Sequence, residues 1–348
     1  MNLRAAIALG MLCLLSVTAR GSDPSWSDPS PHRDGFVTAN GIKLNYLDFG
    51  GSGPAMILIH GLGDNPHIFD DLAPGLTDRF HVIAYARRGH GLSDAKEPYD
   101  AATLTEDLRG LMDALGIARA DLVGWSMGGN EITWMATRYP QRVGHIVYFD
   151  GLYDYADPDF ARTYRAIPPE LLETPPGVLA SLDAYRAYQK AAAFAPLKDM
   201  RRVEAYMRQL IIQKPDGTVT TRMPQNLQEA MVRSLSANPP RDYTRVHCPA
   251  LAFLAATPVD SQLASASLHK AVLAWERDEW APFRAKSVAR ARHELTDLRV
   301  VTVPGAHADF FLVSRQRVLA TMRQFLLTPP ADPPAVPPAN TTPASGKH

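Results

Sequence analysis

The sequence predicts an α/β protein: a mostly parallel, doubly wound sheet interrupted by a helical cap insertion. Three observations carry that prediction. Short, continuous apolar runs such as Met56-Ile57-Leu58-Ile59 and His81-Val82-Ile83-Ala84-Tyr85 alternate with stretches of helical periodicity such as Thr103 to Leu115. Runs of that kind mark strands buried on both faces. One strand–helix junction carries Gly124-Trp125-Ser126-Met127-Gly128, a serine at the apex of a sharp turn. Residues 151–244 hold helical patterns separated by prolines and no convincing strand, after which the strand–helix alternation resumes.

Taken in order, the chain begins with an export signal. Arg4 supplies a positive start, and Ala5 to Val17 is an apolar stretch too short to span a bilayer comfortably. Val17-Thr18-Ala19 offers small residues for cleavage after Ala19. Residues 1–19 therefore read as a signal peptide and the protein as exported, periplasmic or secreted, with no stable membrane span after cleavage; an uncleaved signal anchor is the alternative. Cys13 lacks the small residues that precede a lipidated cysteine. Cleavage leaves Cys248 alone, so no intramolecular disulfide is expected and stability must come from the core.

Residues 20–34, rich in Ser, Asp and Pro, read as an extended lead-in. Gly35 to Phe49 alternates apolar and polar residues around Asn40-Gly41, a hairpin signal. Met56 to Ile59 is a buried strand ending at His60-Gly61-Leu62-Gly63, and Phe69 to Leu76 reads as a helix. The strand His81 to Tyr85 leads to Arg88-Gly89-His90-Gly91-Leu92-Ser93, and a helix follows over Thr103 to Leu115. Next come the serine strand, its helix (Asn130 to Tyr139) and the strand His145 to Phe149. In the cap, helices are expected over Leu179 to Phe194, Val203 to Ile212 and Asn226 to Ala237. Pro249 to Leu254 resumes the sheet, Leu263 to Glu294 is mostly helical, Leu298 to Val303 is the last strand and Val318 to Leu327 a final amphipathic helix. The core thus comprises residues 35–150 and 245–327. Residues 328–348 are Pro/Ala-rich with almost no large apolar side chains, a composition that cannot support a packed fold and reads as a disordered tail.

Composition bounds the partners. With 348 residues, 46% of them hydrophobic, the chain can bury one large core or two modest ones. Lys+Arg and Asp+Glu both number 36, so the net charge is zero, which argues against nucleic acid or an anionic membrane surface. Arg87-Arg88 and Arg201-Arg202 read as solvated or salt-bridged faces. The histidines lack metal-ligand spacing and no phosphate-binding glycine loop occurs, so no metal and no cofactor are implied.

Chemistry concentrates at Ser126. A serine at such an apex adopts a positive φ, and the residues two before and two after must be tiny to clear the turn. The N–H of Met127 then sits at a helix N-terminus, where negative charge is favoured. A serine hydroxyl needs a base, and the base an orienting acid. His307, in the Gly305-Ala306-His307 turn after the last strand, lies at the same sheet edge and fits the base.

Four segments together make the chain resemble the α/β-hydrolase superfamily: His60 to Gly63, Arg88 to Ser93, Gly124 to Gly129 and Gly305 to His307. The resemblance runs from about Asn40 to Leu327 and is weakest in the insertion. It implies that Ser126 is the nucleophile and His307 the base. It also implies an oxyanion hole formed by the backbone N–H groups of Leu62 and Met127, with His60 ordering the loop. Residues 151–244 take the position of that superfamily's variable cap, which roofs the pocket. The chain departs from the common pattern at the acid. Most relatives carry Asp in a Gly-x-x-Asp turn after the strand that follows the cap; here Ala255-Ala256-Thr257-Pro258-Val259-Asp260 lacks the glycine and has Pro258 near the expected place. A minority place the acid at the end of the strand after the serine helix, which is Asp150 here. Asp150 is the favoured acid and Asp260, which also reads as a helix N-cap, the alternative.

The implied activity is hydrolysis of a small carboxylic ester or lactone through an acyl-serine. The partner is then a small, apolar ester, and the oligomeric state stays open. Peptidase, C–C hydrolase or perhydrolase chemistry, or a non-catalytic binding protein on the same fold, are the alternatives. The aromatic residues Tyr153, Tyr155, Phe160, Tyr164, Tyr185, Tyr188 and Phe194 read first as packing of the cap onto the core and second as pocket lining.

Overall fold

The computed structural model describes residues 27–171, 174–192, 194, 200–259 and 265–327. The expected leader over residues 1–19, the Pro-rich tail over residues 328–348 and Asp260 lie outside the described residues.

The strands assemble into one eight-stranded sheet. They are β1 (Arg33–Ala39), β2 (Ile42–Gly50), β3 (Ala55–Ile59), β4 (His81–Tyr85), β5 (Ala120–Trp125), β6 (Val143–Phe149), β9 (Ala250–Thr257) and β10 (Leu298–Ala306), in the order β1-β2-β4-β3-β5-β6-β9-β10. β1 and β2 form the hairpin expected at Asn40-Gly41, both of which have positive φ, and β2 pairs antiparallel with β4. Every pairing from β4 to β10 is parallel.

Both faces of the sheet are covered, and the strand sequences say why. In β3, Met56 and Leu58 join one apolar cluster while Ile57 and Ile59 join the other. In β6, Val147 and Phe149 divide from Ile146 and Tyr148 in the same way. Side chains alternate across a strand, so a strand buried on both sides must be apolar at every position. Each fully buried Leu, Ile or Val of these runs contributes about 1.5–3 kcal/mol relative to exposure.

α1 (Ala101–Ala114) packs on α2 (Gly128–Arg138) over one face. The Asp100 carboxylate caps α1 by accepting from the Thr103 N–H at 2.8 Å. α10 (Arg315–Leu326) ends the described chain, with Val318, Leu319, Met322 and Leu326 buried on its inner face.

Three expectations need correction. Phe69 to Leu76 is not one helix but parts of two 3-10 turns, Pro66–Phe69 and Ala73–Gly75; Pro74 cannot continue a helical ladder begun before it. The insertion is not strand-free: between α5 (Glu204–Gln209) and α6 (Gln225–Ser236), β7 (Ile211–Gln213) pairs antiparallel with β8 (Val219–Thr221). Its arms are three residues long, too short for a periodic signal, and Gly217 turns the chain with φ of 85°. Arg87 and Arg88 are salt-bridged, one of the two readings given for them, but inside the fold rather than on an exposed face. They are buried in ion pairs, Arg87 with Glu131 at 2.6 Å and Arg88 bidentately with Asp107 at 2.7 Å.

The cap also holds α3 (Pro158–Arg165) and α4 (Leu182–Ala192). α7 (Ala266–Trp275) runs through a π-turn (Glu276–Trp280) into α8 (Ala281–Glu294), and this run packs against α3. Ion pairs Arg162–Glu279 (3.0 Å) and Lys286–Asp159 (2.5 Å) cross that contact. Among the described residues no helix is long and apolar enough to cross a membrane.

Candidate active site

Ser126 follows β5 with φ of 52°. Its N–H donates to Phe149 O and its carbonyl accepts from Gly129 N–H, both at 2.9 Å, which locks the turn between strand and helix. The flanking glycines are sterically required. A Cβ on Gly124 would lie 2.5 Å from the Gly128 backbone, and one on Gly128 would lie 2.5 Å from Ile59 O. The turn therefore stands only because both positions lack a side chain.

β6 lies beside β5, and Asp150 follows its last residue at a positive φ of 45°. Asp150 is buried, and each of its oxygens has partners. Oδ2 accepts from His307 Nδ1 at 2.7 Å. Oδ1 accepts from the Tyr153 hydroxyl at 2.5 Å and from Ala255 N–H at 3.3 Å. The Asp150 N–H donates to Phe253 O on β9. The carboxylate is thus fixed from two neighbouring strands and the first loop of the cap. His307 follows β10; its carbonyl accepts from Trp125 Nε1 at 3.0 Å, tying the histidine turn to the serine strand.

Ser126, His307, Leu62 and Met127 line one cavity of about 280 Å³. Tyr153, Tyr155, Phe160 and Tyr164 wall it from the start of the cap, Val232 and Leu235 from α6, and Pro258 and Val259 from the end of β9. Burial raises the phenol pKa of Tyr155. Tyr185 and Phe194, by contrast, pack into the core, with Tyr188 against them. The aromatic set of the insertion divides between the two roles weighed for it.

His60 orders its loop. Its ring nitrogens bridge Gly61 O (2.8 Å) and the Arg87 N–H (3.1 Å), which fits a neutral ring with the proton on Nδ1. Burial, with His90 and Arg87 nearby, pushes its pKa well down. Asp64, four residues on, accepts from the cap's Tyr206 hydroxyl at 2.5 Å. Burial pushes its carboxyl up to about 7, against opposing effects of the Tyr206 bond, His307 and Arg87.

Several site residues escaped the sequence reading. Trp275 and Trp280 line the cavity from outside residues 151–244, so its roof extends into α7 and the π-turn. Arg241 is buried and pins the segment after β6: it donates to Gly151 O (2.8 Å) and to Asn130 Oδ1 (3.0 Å). Its guanidinium also lies 5.4 Å from the Tyr155 ring centroid. No local pattern announces these residues.

This fold and site place the chain in a known class. The family model of the alpha/beta hydrolase fold matches residues 54–312, and the chain belongs to that family. A 2-(acetamidomethylene)succinate hydrolase of Mesorhizobium japonicum is 41% identical over 110 residues, 31% of this chain and 39% of that protein. The 3-oxoadipate enol-lactonase 2 of Acinetobacter baylyi is 35% identical over 121 residues, 34% of this chain and 45% of that protein. The matched stretches thus span less than half the length of these relatives. Over the whole fold, the crystal structure of E-2-(acetamidomethylene)succinate hydrolase superposes with a TM-score of 0.63 at 26% identity, covering 85% of this chain and 99% of that one.

Proposed function

We propose that this protein is an exported serine hydrolase that cleaves a small carboxylic ester or lactone through an acyl-serine intermediate. The observation that carries the reading is the 2.7 Å contact between Asp150 Oδ2 and His307 Nδ1, at a cavity that also holds Ser126 on its strained turn.

In this reading Asp150 keeps the His307 proton on Nδ1, leaving Nε2 free to take the Ser126 proton as Oγ attacks the substrate carbonyl. The negative charge that forms on the carbonyl oxygen is met by the N–H groups of Met127 and Leu62. Collapse breaks the ester C–O bond, and His307 returns its proton to the leaving alkoxide. A water molecule, deprotonated by the same imidazole, then hydrolyses the acyl-serine and restores both residues. In a lactone the leaving alkoxide stays tethered to the acyl group.

The cavity supports an uncharged substrate. Among the described residues lining it none is Lys or Arg, and the walls are aromatic and aliphatic. A relative's name refers to a succinate derivative and another's to the enol-lactone of 3-oxoadipate, both from dicarboxylic acids; a cavity walled by apolar side chains suits an uncharged ester or lactone better than either. The export assignment rests on the leader pattern of residues 1–19.

A fluorophosphonate probe tests the nucleophile. Wild type should be labelled, and Ser126→Ala should lose labelling and about 10⁴-fold or more in kcat while staying folded. Full activity in that variant on esters of graded acyl length and on lactones would refute the reading.

A further inference from the structure

A second cluster of chemically capable side chains lies away from the Ser126 cavity. Asp28 and His32 of the lead-in meet His67 and Asp70 of the 3-10 turn that follows β3, and one ligand atom from each lies within 4.8 Å of the others. None of the four lines the cavity. The spacing of these histidines announces no metal site; the fold supplies the proximity.

The distances fit one small ion better than they fit a hydrogen-bond network. His32 Nε2 stands 3.3 Å from Asp28 Oδ2 and 3.8 Å from Asp70 Oδ1. His67 Nδ1 stands 3.4 Å from Asp28 Oδ2. Ligands held about 2.0–2.1 Å from a tetrahedral zinc are about 3.3 Å apart along each edge. The side chains of His32 and Asp70 are 4% and 6% exposed, yet neither ring nitrogen of His32, nor Asp70 Oδ1, has a hydrogen-bond partner. Orphaned buried polar atoms that face one another beyond hydrogen-bond reach are costly unless something sits between them.

The remaining carboxylate oxygens are already engaged. Asp28 Oδ1 accepts from Ser30 N–H (2.9 Å) and Asp70 Oδ2 accepts from Ser30 Oγ (2.8 Å). Such outer contacts orient a ligating carboxylate. The 3.0 Å between Asp70 Oδ2 and His67 Nδ1 is a hydrogen bond only while Nδ1 is protonated, and an Nδ1 bound to metal gives it up. Two carboxylates and two neutral imidazoles also balance a divalent cation in charge, which burial demands.

We propose that Asp28, His32, His67 and Asp70 form a structural site for a divalent transition-metal ion, with zinc as the best match to two imidazoles and two carboxylates in a closed set. The ion staples the lead-in to the turn after the Leu62 loop. Asn65 caps that turn by accepting from the His67 N–H at 3.0 Å, and its Nδ2 donates to Tyr206 O in the cap, also at 3.0 Å. The staple is therefore one residue removed from the contact between core and cap.

The test uses untagged, full-chain protein stripped with chelator and titrated with zinc chloride, with metal content read by elemental analysis and affinity by calorimetry. Wild type should bind one zinc per chain and gain melting temperature with added zinc. Its cobalt derivative should absorb in the visible with the intensity of tetrahedral coordination. His32→Gln should lose about 100-fold or more in zinc affinity and all of the thermal gain; Asp28→Asn, which leaves the His32 ring on Phe49 in place, should follow it. Ser126→Ala should bind zinc as wild type does, which separates this site from the proposed active site. Failure of wild type to take up zinc, or undiminished binding in His32→Gln, overturns the proposal, as does loss of zinc in Ser126→Ala.

Discussion

Replacing Asp150 by Asn removes one charge and keeps the shape. The outcome can be worked from its neighbours. Oδ1 of Asp150 accepts from two donors, the Tyr153 hydroxyl and the Ala255 N–H, while Oδ2 faces His307 Nδ1. An Asn amide has one acceptor oxygen, and the two-donor side claims it. The amide NH₂ then points at His307 Nδ1 and forces that nitrogen to accept. The imidazole proton moves to Nε2, on the side proposed to receive the Ser126 proton, so the base is in the wrong tautomer. The opposite amide orientation sets its NH₂ against the Ala255 N–H, two donors face to face in a buried place. Either way the imidazolium loses its counter-charge. The expected loss in kcat/KM is roughly 10³–10⁴, or about 4–5.5 kcal/mol of transition-state stabilisation. Assayed on a small chromogenic ester, with circular dichroism as the folding check, Asp150→Asn should be crippled and Asp260→Asn close to wild type. A folded Asp150→Asn enzyme within tenfold of wild type refutes the tautomer argument. A crippled Asp260→Asn moves the acid to the end of β9.

Other outcomes follow from the same geometry. Asp64 has its folded-state pKa raised from 3.8 to about 7 by burial, so the folded state binds this proton more tightly than the unfolded one. Its contribution is fully favourable below 3.8 and is lost as pH rises towards 7, with a slope of at most about 1.4 kcal/mol per pH unit. Asp64→Asn should flatten the stability–pH curve over that window in urea unfolding, and an unchanged curve refutes the assignment. Gly128→Ala would press a methyl group to 2.5 Å from Ile59 O, a backbone atom that cannot swing aside. It should cost about 1–3 kcal/mol and lower Tm by several degrees in a thermal melt; an unchanged Tm would show that the junction between β3 and α2 is looser than drawn. Intact-mass measurement of exported protein should find a mature chain starting near Arg20, and recovery of Met1 in a soluble cytosolic form counts against export.

Much of the molecule is legible in its residues, and the legible parts share a physical cause. The sheet is readable because strands buried on both faces must be apolar throughout, as β3 and β6 are. The serine turn is readable because its sterics fix residue type at set offsets from the serine: a Cβ on Gly124 meets the Gly128 backbone, and one on Gly128 meets Ile59 O of the adjacent strand. What stayed hidden depends on contacts across long sequence separations. Arg241 reaches Gly151 and Asn130, Trp275 and Trp280 close the cavity from beyond the insertion, and His67 meets residues of the lead-in. Each such residue is ordinary in its own stretch of sequence. The β7–β8 hairpin was hidden for a different reason, since three-residue arms carry no period to detect.

The placement of the proposed acid follows from parallel pairing. Trp125 of β5 sits in register with Phe149 of β6, so Ser126 and Asp150 are the next residues beyond one paired level on adjacent strands. Neighbouring strands lie about 4.8 Å apart. Both residues leave their strands with left-handed backbone, φ of 52° and 45°, which turns each side chain off the sheet edge rather than along it. The Asp150 carboxylate thus reaches the His307 ring and accepts from Ala255 N–H of β9, while the Asp150 backbone N–H donates to Phe253 O. On the proposal that Asp150 is the acid, the end of β9 need not carry one. Pro258 and Val259 occupy that place and line the cavity with apolar surface instead. The missing glycine and the proline at that turn are therefore not damage to a motif. In the proposed arrangement, with the acid one strand closer to the serine, they leave an apolar pocket wall.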